Sequence, residues 1–370
     1  MNIDPSDATE QHHRPGSPGG YALYRLPDAR NFVYTAQHDA PDTVASFAAL
    51  EGRRGVVIAP FHPTPDTPAV LIRPDILVTC PLPPSGEGLQ MTGLPLHAAA
   101  DTPKGEGREA YAEGFAVCKR RLADGVVRKV VYARRESLAL PADPQYRPLR
   151  LFLEACRHHP HSYVSLWHTP QTGCWLVASP ETLLAADDAD HQRWHTMALA
   201  GTMPLTPEAL CTGNWSAKDK AEQAFVTEFI KHQLTGIASD ISLSEVYPSP
   251  AANVVHLRTD FGFRLKDGIG LGTLLDRLHP TPAVCGSPCA AAFDAINAAE
   301  AVPRRYYAGF SGPLSLHGNT RFYVSIRCME LFSDQARLYA GGGLLPASIE
   351  ETEWEETCRK LRTMKDLFRR

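Results

Sequence analysis

Short apolar runs set off by proline and glycine fill the first quarter of the chain. Gly55-Val56-Val57-Ile58-Ala59-Pro60 and Ala69-Val70-Leu71-Ile72 have the length and composition of strands between turns. The stretch from Tyr21 to about Leu96 reads the same way. The pattern changes at Glu109, where Phe115, Cys118 and Leu122 recur at helical spacing and predict a helix to about Ala123. It then becomes Lys129-Val130-Val131-Tyr132-Ala133-Arg134, a strand whose period of two puts Lys129, Val131 and Ala133 on one face. A helix near 148–158 and strands over 163–167 and 174–178 follow. The best amphipathic pattern runs from Ala217 to about Ala238, with Phe225, Val226, Phe229, Ile230 and Leu234 in one stripe. Near the C-terminus a strand over 321–331, a polar turn at 333–336 and a strand over 337–340 predict a hairpin. Gly341-Gly342-Gly343 should break it, and a helix from about Ile349 to Phe368 should close the chain. Strands and helices are mixed without regular alternation, so an α+β fold is expected rather than a doubly wound sheet.

Composition narrows the class. The 370 residues are 44% hydrophobic and 21% charged, which supports a sizeable core and excludes global disorder. A net charge of −4 argues against nucleic acid as a partner. No apolar run approaches the roughly 20 residues of a membrane span, so no membrane is expected. The nine cysteines are scattered; only Cys285 and Cys289 lie close, and neither a zinc site nor a disulfide framework follows. Residues 1–20 are polar and rich in proline and glycine, without the basic and apolar regions of a signal peptide. They read as a disordered tail on a cytoplasmic protein, and 97–108 reads as a linker. With no coiled-coil seam or apolar surface helix in view, a monomer is expected.

Four features could carry chemistry. Lys129 sits in an otherwise apolar strand; buried there it could lose its proton and act as a base, although a solvent-facing lysine at a sheet edge is the commoner case. Asp219 and Glu222 are three apart on one expected helix, and Glu353 and Glu356 on another, with Lys360 one turn further on. Two such faces meeting would suit a hard divalent cation, whereas acids near a helix start also simply complement its dipole. Arg327, read on the strand face of Tyr323 and Ser325, could clamp a carboxylate or join an internal salt bridge. Ala200-Gly201-Thr202 and Gly341-Gly342-Gly343 could admit a ligand against the backbone; simple turns are the commoner use. No Ser-His-Asp or Cys-His arrangement stands out.

Taken in order, several blocks resemble the chorismate-utilising enzymes, and their isochorismate synthases most closely. They are KVVYARRESL (129–138), ASPETLL (178–184), ALAGTMP (198–204), KDKAEQAF (218–225), HLRTDFGFRL (256–265), LHPTPAVCG (278–286), YYAGFSGPLS (306–315), FYVSIRCMEL (322–331), LYAGGGLLPAS (338–348) and EWEETCRKLRTM (353–364). The resemblance covers roughly 109–368 and implies one large α+β domain, with two stacked antiparallel sheets flanked by helices. Residues 21–108 would be the variable N-terminal part of that fold, and 109–370 the chorismate-binding catalytic region.

The resemblance implies Mg²⁺-dependent conversion of chorismate to isochorismate, in which water adds at C2 and the C4 hydroxyl leaves. That product feeds menaquinone, siderophore or salicylate biosynthesis. Lys129 would be the base and Glu181 the acid. Glu222 and Glu356 would hold the metal, with Asp219 and Glu353 as second acids. Arg327 and Lys360 would hold substrate carboxylates. Gly201, Thr202, Gly342 and Gly343 would meet the ligand, Tyr339 would lie on its edge, and His256 and Leu257 would pack its ring. Relatives that use ammonia carry Gln at the position of Lys129, or Lys at that of Ala200, so water chemistry and no amidotransferase subunit are implied. A salicylate synthase, which also eliminates pyruvate, and a non-catalytic chorismate-binding paralogue are the alternatives. Gly342 and Gln223 depart from the family pattern without removing a reacting group.

Overall fold

Prolines, glycines and charged turns cut the first eighty residues into six strands: β1 (Gly20–Arg25), β2 (Asn31–Gln37), β3 (Asp42–Val44), β4 (Gly55–Ala59), β5 (Ala69–Ile72) and β6 (Ile76–Pro81). The computed structural model describes residues 18–83, 96, 98, 99, 105–140, 147–190 and 192–369. Most of the expected tail and linker lies outside these residues. The chain continues with α1 (Gly107–Ala123), β7 (Lys129–Ala139), α2 (Pro148–His158), β8 (Tyr163–Thr169), β9 (Gly173–Ser179), β10 (Thr182–Ala186) and β11 (Arg193–Pro204). Next come α3 (Ala217–Leu234), β12 (Ala238–Leu243), β13 (Tyr247–Ala251), β14 (Val254–Leu265), α4 (Leu271–Leu278), β15 (Gly286–Ser287) and α5 (Cys289–Ala299). The last elements are β16 (Phe310–Leu314), β17 (Arg321–Val324), β18 (Cys328–Leu331), β19 (Gln335–Leu344) and α6 (Glu350–Lys365).

The strands form two antiparallel sheets. One has the order β15-β7-β19-β18-β9-β8-β1-β2-β6; the other runs β12-β14-β11-β10-β17-β16-β4-β5-β3, with β13 also on β14. The N-terminal strands extend both sheets, so residues 20–81 are part of the same architecture. The sheets share one apolar core, in which the Tyr163 ring of β8 stacks on Tyr323 of β17 at 4.2 Å. A second core lies where α2 and the end of α6 meet the nine-stranded sheet, through Phe152, Leu361 and Met364 against Leu166, Leu176 and Met329. Each such side chain, fully buried, contributes about 1.5–3 kcal/mol. The helices follow local rules: Pro148 opens α2, Ser216 caps α3, and Glu350, Glu351 and Glu353 occupy the first turn of α6. In α3 the buried stripe is Val226, Ile230 and Leu234, and the helix stops at Leu234, short of the expected Ala238, which opens β12.

Two neighbouring crossings between the sheets shape the centre of the molecule. The chain leaves β9 for β10 through Pro180-Glu181, and β17 for β18 through Ser325-Ile326-Arg327. Because β9 pairs with β18 and β10 with β17, the crossings lie side by side. The Ala178 N–H donates to the Arg327 carbonyl at 2.9 Å, and the Val324 N–H to the Glu181 carbonyl at 3.0 Å. Arg327 therefore does not share a strand face with Tyr323 and Ser325 as expected. It follows the strand, at φ +50°, a left-handed backbone unusual for an arginine. The expected break at Gly341-Gly342-Gly343 is also absent: β19 runs through all three, with Gly341 opposite Ala133, Gly342 opposite Tyr132 and Gly343 opposite Val131 of β7. Backbone pairing along β7 outweighs the usual cost of glycine within a strand.

Candidate active site

The three glycines of β19 make room for charge. A methyl at Gly343 would stand 2.1 Å from Glu222 Oε1 and 3.0 Å from Lys129 Cε, and one at Gly342 would meet Glu353 Oε2 and Glu356 Oε1 at 3.3 and 3.5 Å. Carboxylates from α3 and α6 thus press against this strand. Each is held by a lysine: Lys129 Nζ lies 3.1 Å from Glu222, Lys218 Nζ 2.6 Å from Glu353, and Lys360 Nζ 2.6 Å from Glu356. Lys360 also donates to the Gly341 carbonyl at 2.8 Å. Lys129 is fully buried, which removes the solvent-facing alternative.

The crossings supply the other half. Glu181 is 3% exposed, and burial pushes its carboxyl from the usual 4.5 up to about 8, against the pull of Lys129, Lys360 and Arg327. It is therefore protonated at neutral pH. Burial opposes ionisation of Glu356 too, but Lys360 and Lys218 hold its carboxyl below the ordinary range. Glu353 goes up, through burial and the charge of Glu356. Opposite shifts of carboxyls so close together set up distinct acid and anion roles. Arg327 is held by His256, whose Nε2 accepts from the guanidinium at 2.8 Å, and by Thr363 Oγ1 at 3.3 Å. The His256 Nδ1–H donates to the Gly201 carbonyl at 2.8 Å. Burial and the charges of Arg327 and Lys360 lower His256 to about 3, so the ring is neutral and this tautomer fits both contacts. Gly201, at φ +72°, sits where β11 slips register against β14, a bulge that turns its carbonyl to the imidazole.

Glu181, Gly201, Thr202, Glu222, His256, Arg327, Tyr339, Gly341, Gly343 and Lys360 line one cavity of about 50 Å³, room for only a few waters. A larger cavity of about 430 Å³ lies between α1, α5 and β7, behind the Tyr307 and Tyr339 rings stacked at 5.5 Å. There Arg304 is tied to Glu300, so the larger space offers less acid–base chemistry than the smaller one.

Residues 96–369 match the family model described as chorismate binding enzyme. The chain belongs to this family. It is 35% identical over 213 residues to isochorismate synthase EntC of Escherichia coli (strain K12), covering 55% of this chain and 53% of that protein. It is 31% identical over 275 residues to isochorismate synthase DhbC of Bacillus subtilis (strain 168), covering 69% and 67%. The chain thus spans about half of the first relative and about two thirds of the second. MenF, the menaquinone-specific isochorismate synthase from Escherichia coli, superposes with a TM-score of 0.77 at 21% identity over 95% of this chain and 90% of its own, which shows the shared fold.

Within this chorismate binding fold most of the expected site residues converge; Lys129 and Glu356 reach the cavity only through their partners Glu222 and Lys360, which line it, and four others stand differently. Leu257 alternates with His256 along β14 and points away, into an apolar cluster with Ala209, Trp215 and Val255. Asp219 serves the first turn of α3, its backbone and carboxylate both bonded to the cap Ser216. Gly342 faces Glu353 and Glu356 rather than the cavity. Glu353 is 1% exposed and committed through Oε1 to Lys218. The sequence reading missed Lys218, although it lies four residues before Glu222 and so on the same helical face. It also missed Tyr307, which lines both cavities, and Thr363, which braces Arg327. No local pattern marks either.

Proposed function

We propose that this protein is an isochorismate synthase that converts chorismate to isochorismate. The observation that carries the reading is Glu181: a carboxyl kept protonated by burial, in one cavity with Glu222, the partner of the buried Lys129, whose charge acts on Glu181. Exchange of a hydroxyl between two ring carbons needs a proton acceptor for the attacking water and a donor for the departing group. Lys129 takes a proton from the water that adds at C2. Glu181 gives its proton to the hydroxyl leaving C4. Mass is conserved, because one water enters and one leaves.

Chorismate is a dicarboxylate, and Arg327 and Lys360 are the cations that face the cavity. Its carboxylates would replace the contacts these groups now make, opening a space closed in the free protein. His256 keeps the Arg327 guanidinium aimed at that space, and Tyr339 gives the ring a flat wall.

Magnesium fits the donors present. Glu222, Glu353 and Glu356 offer hard oxygens, and Glu353 Oε2 is buried without a hydrogen-bond partner among the described residues. Among those residues no three potential ligands are already gathered at metal-binding distance; the lysines hold the carboxylates instead. Glu222 and Glu356 would hold Mg²⁺ with Glu353 beside them, and Asp219 would join only by leaving Ser216. Bound there, the ion supplies positive charge against a substrate carboxylate.

The test is incubation of the purified protein with chorismate, with and without Mg²⁺, followed by chromatography and mass identification. A Mg²⁺-dependent product of unchanged mass, distinct from chorismate, is expected. Salicylate with equimolar pyruvate would make the protein a salicylate synthase. No conversion under any condition would overturn the enzymatic reading.

A further inference from the structure

We propose that Cys289 and Cys285 form an oxidisable dithiol site, in which Cys289 attacks a small-molecule disulfide and Cys285 resolves the adduct into an intramolecular disulfide. The two Sγ atoms lie 3.6 Å apart, with Cys285 in the segment before β15 and Cys289 in the first turn of α5. Both thiols are free, and nothing in the proposed reaction uses them.

Their surroundings give them unequal roles. Cys285 is fully buried, whereas Cys289 is half-buried beside the exposed Pro288 and can be approached from solvent. The hydrogen bond between the sulfurs, with burial added, pushes the Cys285 thiol up; the same bond pulls Cys289 down. The thiolate is the reacting species, so the accessible sulfur is also the more nucleophilic one. A helix start next to a thiolate adds to the effect. A disulfide needs its sulfurs about 2 Å apart, so closure from 3.6 Å takes only a small side-chain movement.

The chemistry balances with a low-molecular-weight disulfide such as oxidised glutathione as the oxidant. The Cys289 thiolate attacks one of its sulfurs, and one glutathione leaves as thiolate. Cys285 then loses its proton and attacks Cys289 Sγ, releasing the second glutathione. The two cysteines lose two electrons and two protons, and the glutathione disulfide is reduced to two thiols. The pair sits behind the candidate active site: the Cys285 carbonyl accepts from the Val131 N–H at 2.8 Å, and Val284 lines the cavity.

Folded full-length protein is treated with oxidised glutathione, alkylated, digested and mapped by mass spectrometry, with circular dichroism confirming that it stays folded. The wild type should yield a peptide lacking two hydrogens across Cys285 and Cys289. Cys285→Ser should instead accumulate one glutathione on Cys289, and Cys289→Ser should lose modification at this site altogether. Exposed Cys211 reports what accessibility alone produces. A glutathione adduct that persists on wild-type Cys289 as it does in C285S would overturn the proposal, as would a Cys289 that stays unmodified while Cys211 reacts.

Discussion

Glu181→Gln should make the protein more stable and less active at neutral pH. The folded carboxyl titrates at about 8 against an ordinary 4.5, mainly because it is buried. Above pH 4.5 the unfolded chain ionises this group while the folded one keeps it protonated, so folding must take up a proton. The stability this group lends is fully present below pH 4.5 and is lost as pH rises towards 8. Each unit is worth about 1.4 kcal/mol, so the 2.5 units from 4.5 to 7 correspond to about 3 kcal/mol. Across the whole shift the figure is roughly 5 kcal/mol. Glutamine copies the protonated acid in shape but does not titrate. Urea unfolding of both proteins without divalent cations, from about pH 4.5 to 8, isolates the effect by difference. The variant should match the wild type at the acid end and exceed it by about 3 kcal/mol at pH 7. Its turnover of chorismate should fall by about 10²- to 10⁴-fold. A stability difference that stays flat with pH, or a wild type that gains on the variant as pH rises, would refute the reasoning.

Lys129→Met removes the ammonium beside Glu222; turnover should drop by about 10²-fold or more, and urea unfolding should register a loss of up to about 3 kcal/mol for the carboxylate left behind. Turnover within about threefold of wild type would remove Lys129 from the base role. Gly343→Ala places a methyl 2.1 Å from Glu222 Oε1 and should cost more than about tenfold in turnover with only about 1–3 kcal/mol in stability. Steady-state rates and thermal melts on the same preparation check it. His256→Ala frees the Arg327 guanidinium, and loss of a hydrogen bond to a charged group of about 1.5–3 kcal/mol should appear as a KM raised about tenfold or more with a smaller change in kcat. A fall in kcat at constant KM would assign His256 a different role.

Much of the site was legible in the chain because its parts are local. The three-residue spacing of Glu353 and Glu356, with Lys360 a turn later, places all three on one face of any helix that forms there. A lysine inside an apolar strand is conspicuous wherever that strand sits. The ordered blocks carried the family and the antiparallel α+β architecture. Local patterns went astray where the backbone does something that its own residues do not call for. Residues 321–331 read as one strand because large apolar residues recur through them, yet they serve two sheets and bend at Arg327. The three glycines read as a break because glycine is poor in strands, and they hold because β7 pairs with them on one edge.

The sequence alone determined which side chains were available and which helical faces carried them, since periodicity and spacing are properties of neighbours along the chain. Only the tertiary structure decided that Lys129 is sealed from water, that Glu181 keeps its proton, and that Leu257 looks away from the cavity while His256 looks into it. It also decided that the two crossings lie side by side, bringing Glu181 and Arg327 to one cavity. Burial and electrostatic coupling depend on what packs against a group from distant segments, and no spacing along the chain records that.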